Sequence, residues 1–579
     1  MPSISARLTR MVPANLPVPE PEGLIRAVRG TAPRWAAAVA PWYPAVTVLG
    51  LTALALAVLG GWLGLGVLGF LAAVVGDLAA ASVRTPLAAV LTLSGWSPQV
   101  RALVRELLLV ALLAVAAPGL VGAFVATVAV LQLCWLAFGA LVTTAQLRQP
   151  MLEYRPGATE QPEATRAYAA VYGYAAGAPY GWFEAAAALL ALLGAGLAGV
   201  AGQLAVIAGL LVVSAARALG VRRATALASA AQQRLAQAVE ASGATAVAYL
   251  SAGAGQARYL LNQWLAPLEA LPEGAVVVVR EASQLPVIEA TDLPVLYAPH
   301  GRNLERAVPS SARVAFYFAN SGKNIDLQRD DRLRHVFLGH GDSDKATSAT
   351  PIARIYDQIW VAGEAAVDRY RAAGVQIPRE RFAIVGRPQI EGLRVGPLGQ
   401  RPPTVLYAPT FEGYYEQTDY SSLEAMGPAL VRALIARGGV RVLFKPHPST
   451  GLHRPGMRLA RDEVNALVRQ AGGVCADDRP GLTLLDAFDA ADVLIADVSS
   501  VVSDFLYTGR PIIVTNPRGY PAEEFLARFP GQAGSYLLSD AGELDALLGD
   551  ALTGDSARQR RAAVARHVLG EHPGGPTRS

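Results

Sequence analysis

The sequence predicts an N-terminal α-helical transmembrane bundle of about six spans, followed by two Rossmann-like α/β domains in tandem. Three observations carry that expectation. Hydrophobic residues make up 52% of the chain and charged residues only 17%, which is apolar and charge-poor for a soluble protein. The charges are unevenly spread, scarce from Trp42 to about Ala216 and ordinary from Arg222 onward. From Ala246 on, short β-branched or apolar runs alternate with helical segments, as in a parallel α/β sheet. At 579 residues several compact units are expected. We read a flexible cytoplasmic tail over 1–40, a transmembrane domain over 41–223, and α/β domains over 224–395 and 396–579.

A spanning helix needs ~20 mostly apolar residues. Pro44 to Ala81 holds a long apolar run broken at Gly60-Gly61, Leu107 to Ala145 one broken at Pro118-Gly119, and Trp182 to Ala216 one broken around Gly199 to Gly202. These read as three helical hairpins. Arginines precede the first run (Arg7, Arg10, Arg26, Arg29, Arg34), separate the hairpins (Arg84, Arg101, Arg105; Arg148, Arg155, Arg166) and follow the last (Arg217, Arg222, Arg223), and none lies at a hairpin tip. The positive-inside rule then puts both ends and the larger loops on the cytoplasmic side of the plasma membrane. Asp77, Glu106 and Glu184 are placed at helix ends, in snorkelling or interfacial roles, and no paired buried charges are expected within the spans.

In the second half, strands are predicted at Ala246–Leu250, Ala275–Val279, Val295–Ala298, Val314–Ala319, Val336–Leu338, Ile359–Ala362 and Phe382–Val385. After the Gly- and Pro-rich stretch Gly392 to Pro403 they resume at Val405–Ala408, Val440–Phe444, Val493–Ala496 and Pro511–Val514. Two such series are expected to form a GT-B arrangement. Ligands of open α/β sheets bind beyond the carboxyl ends of strands, so the residues just after these runs are the candidates. They are Gly339-His340-Gly341-Asp342-Ser343-Asp344-Lys345, Gly386-Arg387-Pro388-Gln389, Pro409-Thr410-Phe411, Lys445-Pro446-His447-Pro448 and Asp497-Val498-Ser499-Ser500.

Each segment has a physical use and a simpler alternative. Ser499-Ser500 at a helix start offers hydroxyls and N–H groups to a phosphate, or merely caps the helix. His340 offers a base and Lys345 a phosphate-neutralising ammonium, or the histidine is structural. His447, held between prolines, offers a donor to a phosphoryl oxygen, or marks a turn. Only three of the 50 basic residues are lysine, Lys323, Lys345 and Lys445, and each stands just after a strand. The Gly253-Ala254-Gly255 run lacks the third glycine of a dinucleotide loop. Cys134 and Cys475 form no disulfide framework or metal-ligand spacing. A net charge of +4 without a basic–aromatic patch argues against nucleic acid as partner.

In order, H-G-x-x-x-K, G-x-P, Y-A-P-T-F, H-P and A-D-x-L-I-x-D-x-S-S resemble the CDP-glycerol glycerophosphotransferase family of teichoic-acid-type polymer synthesis, in an actinobacterial-type, membrane-fused form. The resemblance covers about Val314 to Val514. The chain departs from the family's pattern at Gly339, at Asp342-Ser343-Asp344 and at Gly386-Arg387-Pro388-Gln389-Ile390-Glu391. The resemblance implies attack of an acceptor hydroxyl on the β-phosphorus of a CDP-activated polyol, with CMP leaving. It implies His340 as general base, with Lys345, Thr410, His447, Ser499 and Ser500 on the pyrophosphate. Asp497 would orient the Ser-Ser turn or sugar hydroxyls, and Arg387 and Gln389 would stand at the cytidine end. Gly386, Pro448, Lys323 and Lys445 complete the expected binding set. No cofactor and no metal is expected. The partners expected are the donor, a lipid-linked or polymer acceptor and the membrane, with homo-oligomerisation left open. Two other functions stay open: a GT-B glycosyltransferase using a nucleotide sugar, and a membrane scaffold or transporter with a degenerate enzyme domain.

Overall fold

The computed structural model describes residues 43–83, 97–174, 178–192, 197–253, 256–339, 341–345, 348–413, 419–452, 454–479 and 481–571. The expected tail over 1–40 and His340 lie outside the described residues. The chain divides into two compact units. One comprises the region up to Gly243 with Ala252–Ala257 and Val276–Ser310, and the other the remainder.

The first unit is built on helices α1 (Tyr43–Gly60), α2 (Leu63–Val83), α3 (Pro98–Ala116), α4 (Val121–Leu147), α5 (Glu163–Tyr174), α6 (Ala178–Leu192) and α7 (Leu197–Ala241). The breaks expected at Gly60-Gly61 and Pro118-Gly119 are present, and Gly61 adopts φ +66° where α1 ends. α1 and α2 approach closely. A Cβ on Gly50 would lie 2.5 Å from the Gly69 carbonyl oxygen, and one on Gly69 would lie 2.6 Å from that of Gly50, so only glycine fits either position. This is how small residues let apolar helices meet backbone to backbone.

Three expectations are corrected here. The break around Gly199 to Gly202 does not occur, since α7 runs unbroken through both glycines for 45 residues. Among the described residues, two helices are long and apolar enough to cross a membrane, Pro118–Leu147 and Ala198–Ala241, with shorter apolar helices at Val46–Gly60 and Leu63–Ala79. Six spans are not reached because α6 has only 15 residues and α3 carries Arg101, Arg105 and Glu106 in its first half. Finally, Asp77, Glu106 and Glu184 are not interfacial. All three are buried, and Asp77 and Glu184 pair with arginines.

The first unit also holds three strands, β1 (Leu152–Tyr154), β3 (Ala275–Val279) and β4 (Val295–Tyr297). β1, from the segment between α4 and α5, pairs antiparallel with β4, and β3 pairs parallel with β4. Around them His300 Nε2 meets the Gln146 carbonyl at 3.2 Å, and Asn303 Nδ2 donates to the Gln149 carbonyl at 3.3 Å.

The second unit contains β2 (Ala246–Leu250), β5 (Val314–Tyr317), β6 (Arg334–Phe337), β7 (Gln358–Val361) and β8 (Phe382–Ile384), all parallel in the order β2-β5-β6-β7-β8. A second parallel sheet follows, of β9 (Thr404–Ala408), β10 (Arg441–Phe444), β11 (Val474–Cys475), β12 (Val493–Ala496), β13 (Ile512–Thr515) and β14 (Tyr536–Leu538), in the order β11-β10-β9-β12-β13-β14. That is the doubly wound order 3-2-1-4-5-6, whose switch point lies between its first and fourth strands, here β9 and β12. Both faces of this sheet are buried. Val405, Tyr407, Val493 and Ile495 enter one core and Leu406, Ala408, Leu494 and Ala496 the other, so these strands read as continuous apolar runs. The helix Pro455–Gln470 buries Met457, Ala460, Val464 and Val468 at helical spacing. The molecule thus has a helical region with two long apolar helices and two GT-B-like α/β domains.

Candidate active site

Asp497 follows β12 and is wholly buried. Its Oδ2 accepts the Thr410 N–H at 2.7 Å and its Oδ1 accepts from the Ser422 N–H at 3.1 Å and the Thr515 hydroxyl at 2.5 Å. Burial raises its pKa, against the pull of these donors. One carboxylate thereby ties together the carboxyl ends of β9, β12 and β13 and fixes the loops of the switch point.

Beyond it, Ser499 stands at the N-cap of the helix Ser500–Phe505 with an extended backbone but makes no side-chain cap bond. Its hydroxyl is buried and has no partner. The capping alternative therefore fails at this serine. Ser500 does something else. A Cβ on Gly341 would lie 2.9 Å from both Cβ and Oγ of Ser500, so only a glycine lets the 339–345 loop rest on the helix start.

That loop delivers Lys345. Its ammonium donates to Thr410 Oγ1 at 2.9 Å and lies 5.6 Å from the Tyr420 ring centroid and 6.0 Å from that of Phe411. Burial lowers its pKa to about 8, while Asp497 and Asp419 pull it upward. Asp342 and Asp344 anchor the loop: Arg369 pairs with both, and Asp344 Oδ2 also accepts the Gly531 N–H at 2.8 Å. The Asp-Ser-Asp departure from the family pattern is thus a tether.

His447 stacks on Phe411 with centroids 4.9 Å apart and meets Tyr259 edge-on at 5.6 Å. Its Nδ1 accepts the Ser449 N–H at 3.1 Å, so in the neutral ring the proton rests on Nε2. Pro448 is second in the turn closed by the Thr450 N–H on the His447 carbonyl at 2.9 Å. Lys445 donates to the Leu482 carbonyl at 2.8 Å, and burial lowers its pKa.

Gly386 follows β8 with φ +70° and opens the turn to Arg387. The Arg387 fork binds Asp504 through Nε at 2.8 Å and Nη2 at 3.1 Å, and Nη2 reaches Gln263 Oε1 at 3.4 Å. Asp504 lies on the Ser500 helix, so Arg387 grips that helix. Both polar atoms of the Gln389 side chain are buried without a partner. Lys323 lies after β5, where its carbonyl accepts from the Tyr249 hydroxyl at 2.6 Å.

The structure therefore joins Lys345 to Thr410 directly and to His447 through Phe411, and sets Ser500 against Gly341 of the loop that carries Lys345. Sequence reasoning missed Phe411, Tyr420, Tyr259, Arg369 and Asp504. Phe411 stands inside a quoted motif and Asp504 stands four residues after Ser500. The partners of Arg369 and Tyr259 leave no local signal, because they come from distant segments.

Two parallel α/β domains with strand-end loops at a switch point define a GT-B-like architecture. Comparison with known proteins adds the chemistry of relatives. Residues 396–519 match the family model described as CDP-glycerol:poly(glycerophosphate) glycerophosphotransferase. Among solved structures, the chain is similar to the wall teichoic acid polymerase TagF, at 12% identity and a TM-score of 0.40 over 59% of this chain and 88% of that one. It is also similar to the lipopolysaccharide outer core galactosyltransferase WaaB, at 12% identity and 0.32 over 57% and 97%. A UDP-GlcNAc 2-epimerase from Neisseria meningitidis is similar at 8% identity and 0.36, over 57% and 97%. No curated protein matches the chain.

Proposed function

We propose that this protein transfers glycerol phosphate, or a related polyol phosphate, from a CDP-activated donor to a hydroxyl of a lipid-linked or cell-wall polymer acceptor. The acceptor oxygen attacks the β-phosphorus, the bond to the α-phosphate's bridging oxygen breaks, and CMP leaves. His340 takes the acceptor's proton. Lys345, the Ser499 hydroxyl, Ser500, Thr410 and the Nε2–H of His447 stabilise the charge that spreads over the phosphoryl oxygens. Gln389 hydrogen-bonds the cytidine end. Asp497 and Arg387 hold the phosphate-binding loops in place.

The observation that carries this reading is the buried, unpartnered Ser499 hydroxyl after β12, together with the Lys345 ammonium on Thr410 after the neighbouring strand β9. A hydroxyl without a partner and an ammonium at adjacent strand ends suit an anion. The match over residues 396–519 supports a CDP-alcohol as its source. The two long apolar helices favour a membrane location, with the donor met on the cytoplasmic side.

The test is a donor assay on the full-length protein with CDP-glycerol, CDP-ribitol and UDP-sugars. Acceptor-dependent CMP release from a CDP-polyol is the expected result. UDP release from a nucleotide sugar with none from the CDP-polyols would replace this reading with a glycosyltransferase.

A further inference from the structure

The helical unit hides a polar cluster that the transfer chemistry does not use. Asp77 on α2 accepts from Arg101 Nε at 2.8 Å and from Arg105 Nη1. Arg105 also forks onto Glu184 of α6, at 3.1 and 3.0 Å. Glu106, the next residue of α3, takes the Gln132 Nε2–H of α4 on Oε2 at 2.8 Å. The exposures of Asp77, Arg101, Arg105, Glu106 and Glu184 are 9%, 7%, 2%, 1% and 3%.

The charges do not balance. Three carboxylates face two guanidinium groups, which stay charged at any accessible pH. Full ionisation leaves one net negative charge in an apolar core, and an unpaired buried charge is strongly disfavoured. The hydrogen bonds identify which group departs from ionisation. Asp77 and Glu184 each accept from arginine. Glu106 receives one bond from a neutral amide, and its Oε1 is buried with no partner.

A second observation points the same way. Gln203 on α7 donates Nε2–H to the Ala187 carbonyl at 2.9 Å, one turn along α6 from Glu184. Its own Oε1 is buried and unpartnered, with the residue 1% exposed. On α1, Thr47 Oγ1 is buried and unpartnered too. Among the described residues, the carboxyl oxygen of Glu106 and the amide oxygen of Gln203 are thus buried acceptors without a donor.

We propose that Glu106 is a proton-binding site, a carboxylic acid that keeps its proton at neutral pH within the bundle while Asp77 and Glu184 stay ionised against Arg101 and Arg105. Its neighbours from the other helices are Gln132 on α4 and Glu184 on α6. Losing the proton leaves one uncompensated carboxylate in the apolar core, so proton release is coupled to loosening of the α3–α4 contact that Gln132 makes with Glu106.

The experiment treats the full-length protein in detergent micelles with the apolar reagent dicyclohexylcarbodiimide, which reacts with protonated buried carboxyls, and maps adducts by peptide mass across pH. An adduct at Glu106 that fades as pH rises and is indifferent to sodium chloride is expected. Adducts at Asp77 or Glu184 instead, or protection of Glu106 by sodium ions, would overturn the proposal, the latter in favour of a cation site. Melting supplies an independent reading. Glu106→Gln, which imitates the protonated acid, should melt within about 2 °C of the parent, whereas Asp77→Asn, which strips Arg101 and Arg105 of a partner, should fall by roughly 5–10 °C. Equal losses in the two variants would show that Glu106 is charged and end the idea.

Discussion

At the scale of single residues, the orphaned Ser499 hydroxyl offers the sharpest test of the site. If it capped its helix, Ser499→Ala would cost ~1 kcal/mol of stability and leave donor binding alone. With no bond inside the protein, the same change should leave the melting temperature unchanged and weaken CDP-glycerol binding by about 1–3 kcal/mol. His340→Ala should still bind donor while turnover falls ~10²–10⁴-fold. His335 is the control. Its Nδ1 bonds the Tyr317 hydroxyl at 2.9 Å and its Nε2 the Asp330 carbonyl at 3.1 Å, so His335→Ala should lose stability yet keep turnover per folded molecule. Near-normal transfer by a folded His340→Ala enzyme would move the role of base to His447. Lys345 sets a pH dependence. Its ammonium holds phosphate only while protonated, and burial brings its pKa down to about 8. Donor affinity should therefore fall as pH rises through that value, and a Lys345→Arg variant, which cannot titrate there, should lose the dependence. Titrations showing the same slope in both proteins would separate Lys345 from the phosphate. The neighbourhood of Lys345 and Thr410 was legible because both stand in segments that follow apolar runs, whereas Lys323 and Lys445 bond elsewhere. The role of Arg387 was not, because its partner Asp504 lies 117 residues away.

At the scale of elements, the helix Ser500–Phe505 is gripped from two directions. Gly341 abuts its first residue and Arg387 forks onto Asp504 near its end, the Arg387 side chain being 6% exposed. Arg387→Ala would strand a buried carboxylate and should destabilise the enzyme by about 3–5 kcal/mol. Arg387→Lys retains the charge but loses the planar fork, so it should recover much of that stability while donor KM stays raised. Thermal melts alongside steady-state kinetics would check both, and full recovery of KM by lysine would show that the fork geometry is immaterial. The strand series was readable from apolar runs: β2 through β10, β12 and β13 lie where β-branched and apolar residues predict them. Three strands escaped, β1, β11 and β14. They have two or three residues each, too short for any periodicity to show. Charge pairing inside the helices escaped for a different reason. Arg101, Arg105, Asp77 and Glu184 looked like flanking residues because hydropathy counts charges without seeing that they pair with one another.

At the scale of the whole molecule, arginine placement predicts that the segment between α4 and α5 and the C-terminal half share the cytoplasmic side. Cysteine labelling at Arg155 and at the C-terminus in intact cells would check this, and an external signal at either position would refute it. The pairing of β1 with β4 bears on how the protein can be handled in the laboratory. A natural first step toward crystals is to discard the helices and express residues 244–579. Doing so removes the three residues that cover the outer edge of Val295–Tyr297, an entirely buried strand. An apolar strand with a row of open N–H and C=O groups is a template for pairing between chains. The trimmed fragment should therefore precipitate or form edge-to-edge oligomers, however well its two α/β domains fold. A tethered copy of Met151–Tyr154, which restores the pairing, should return it to solution.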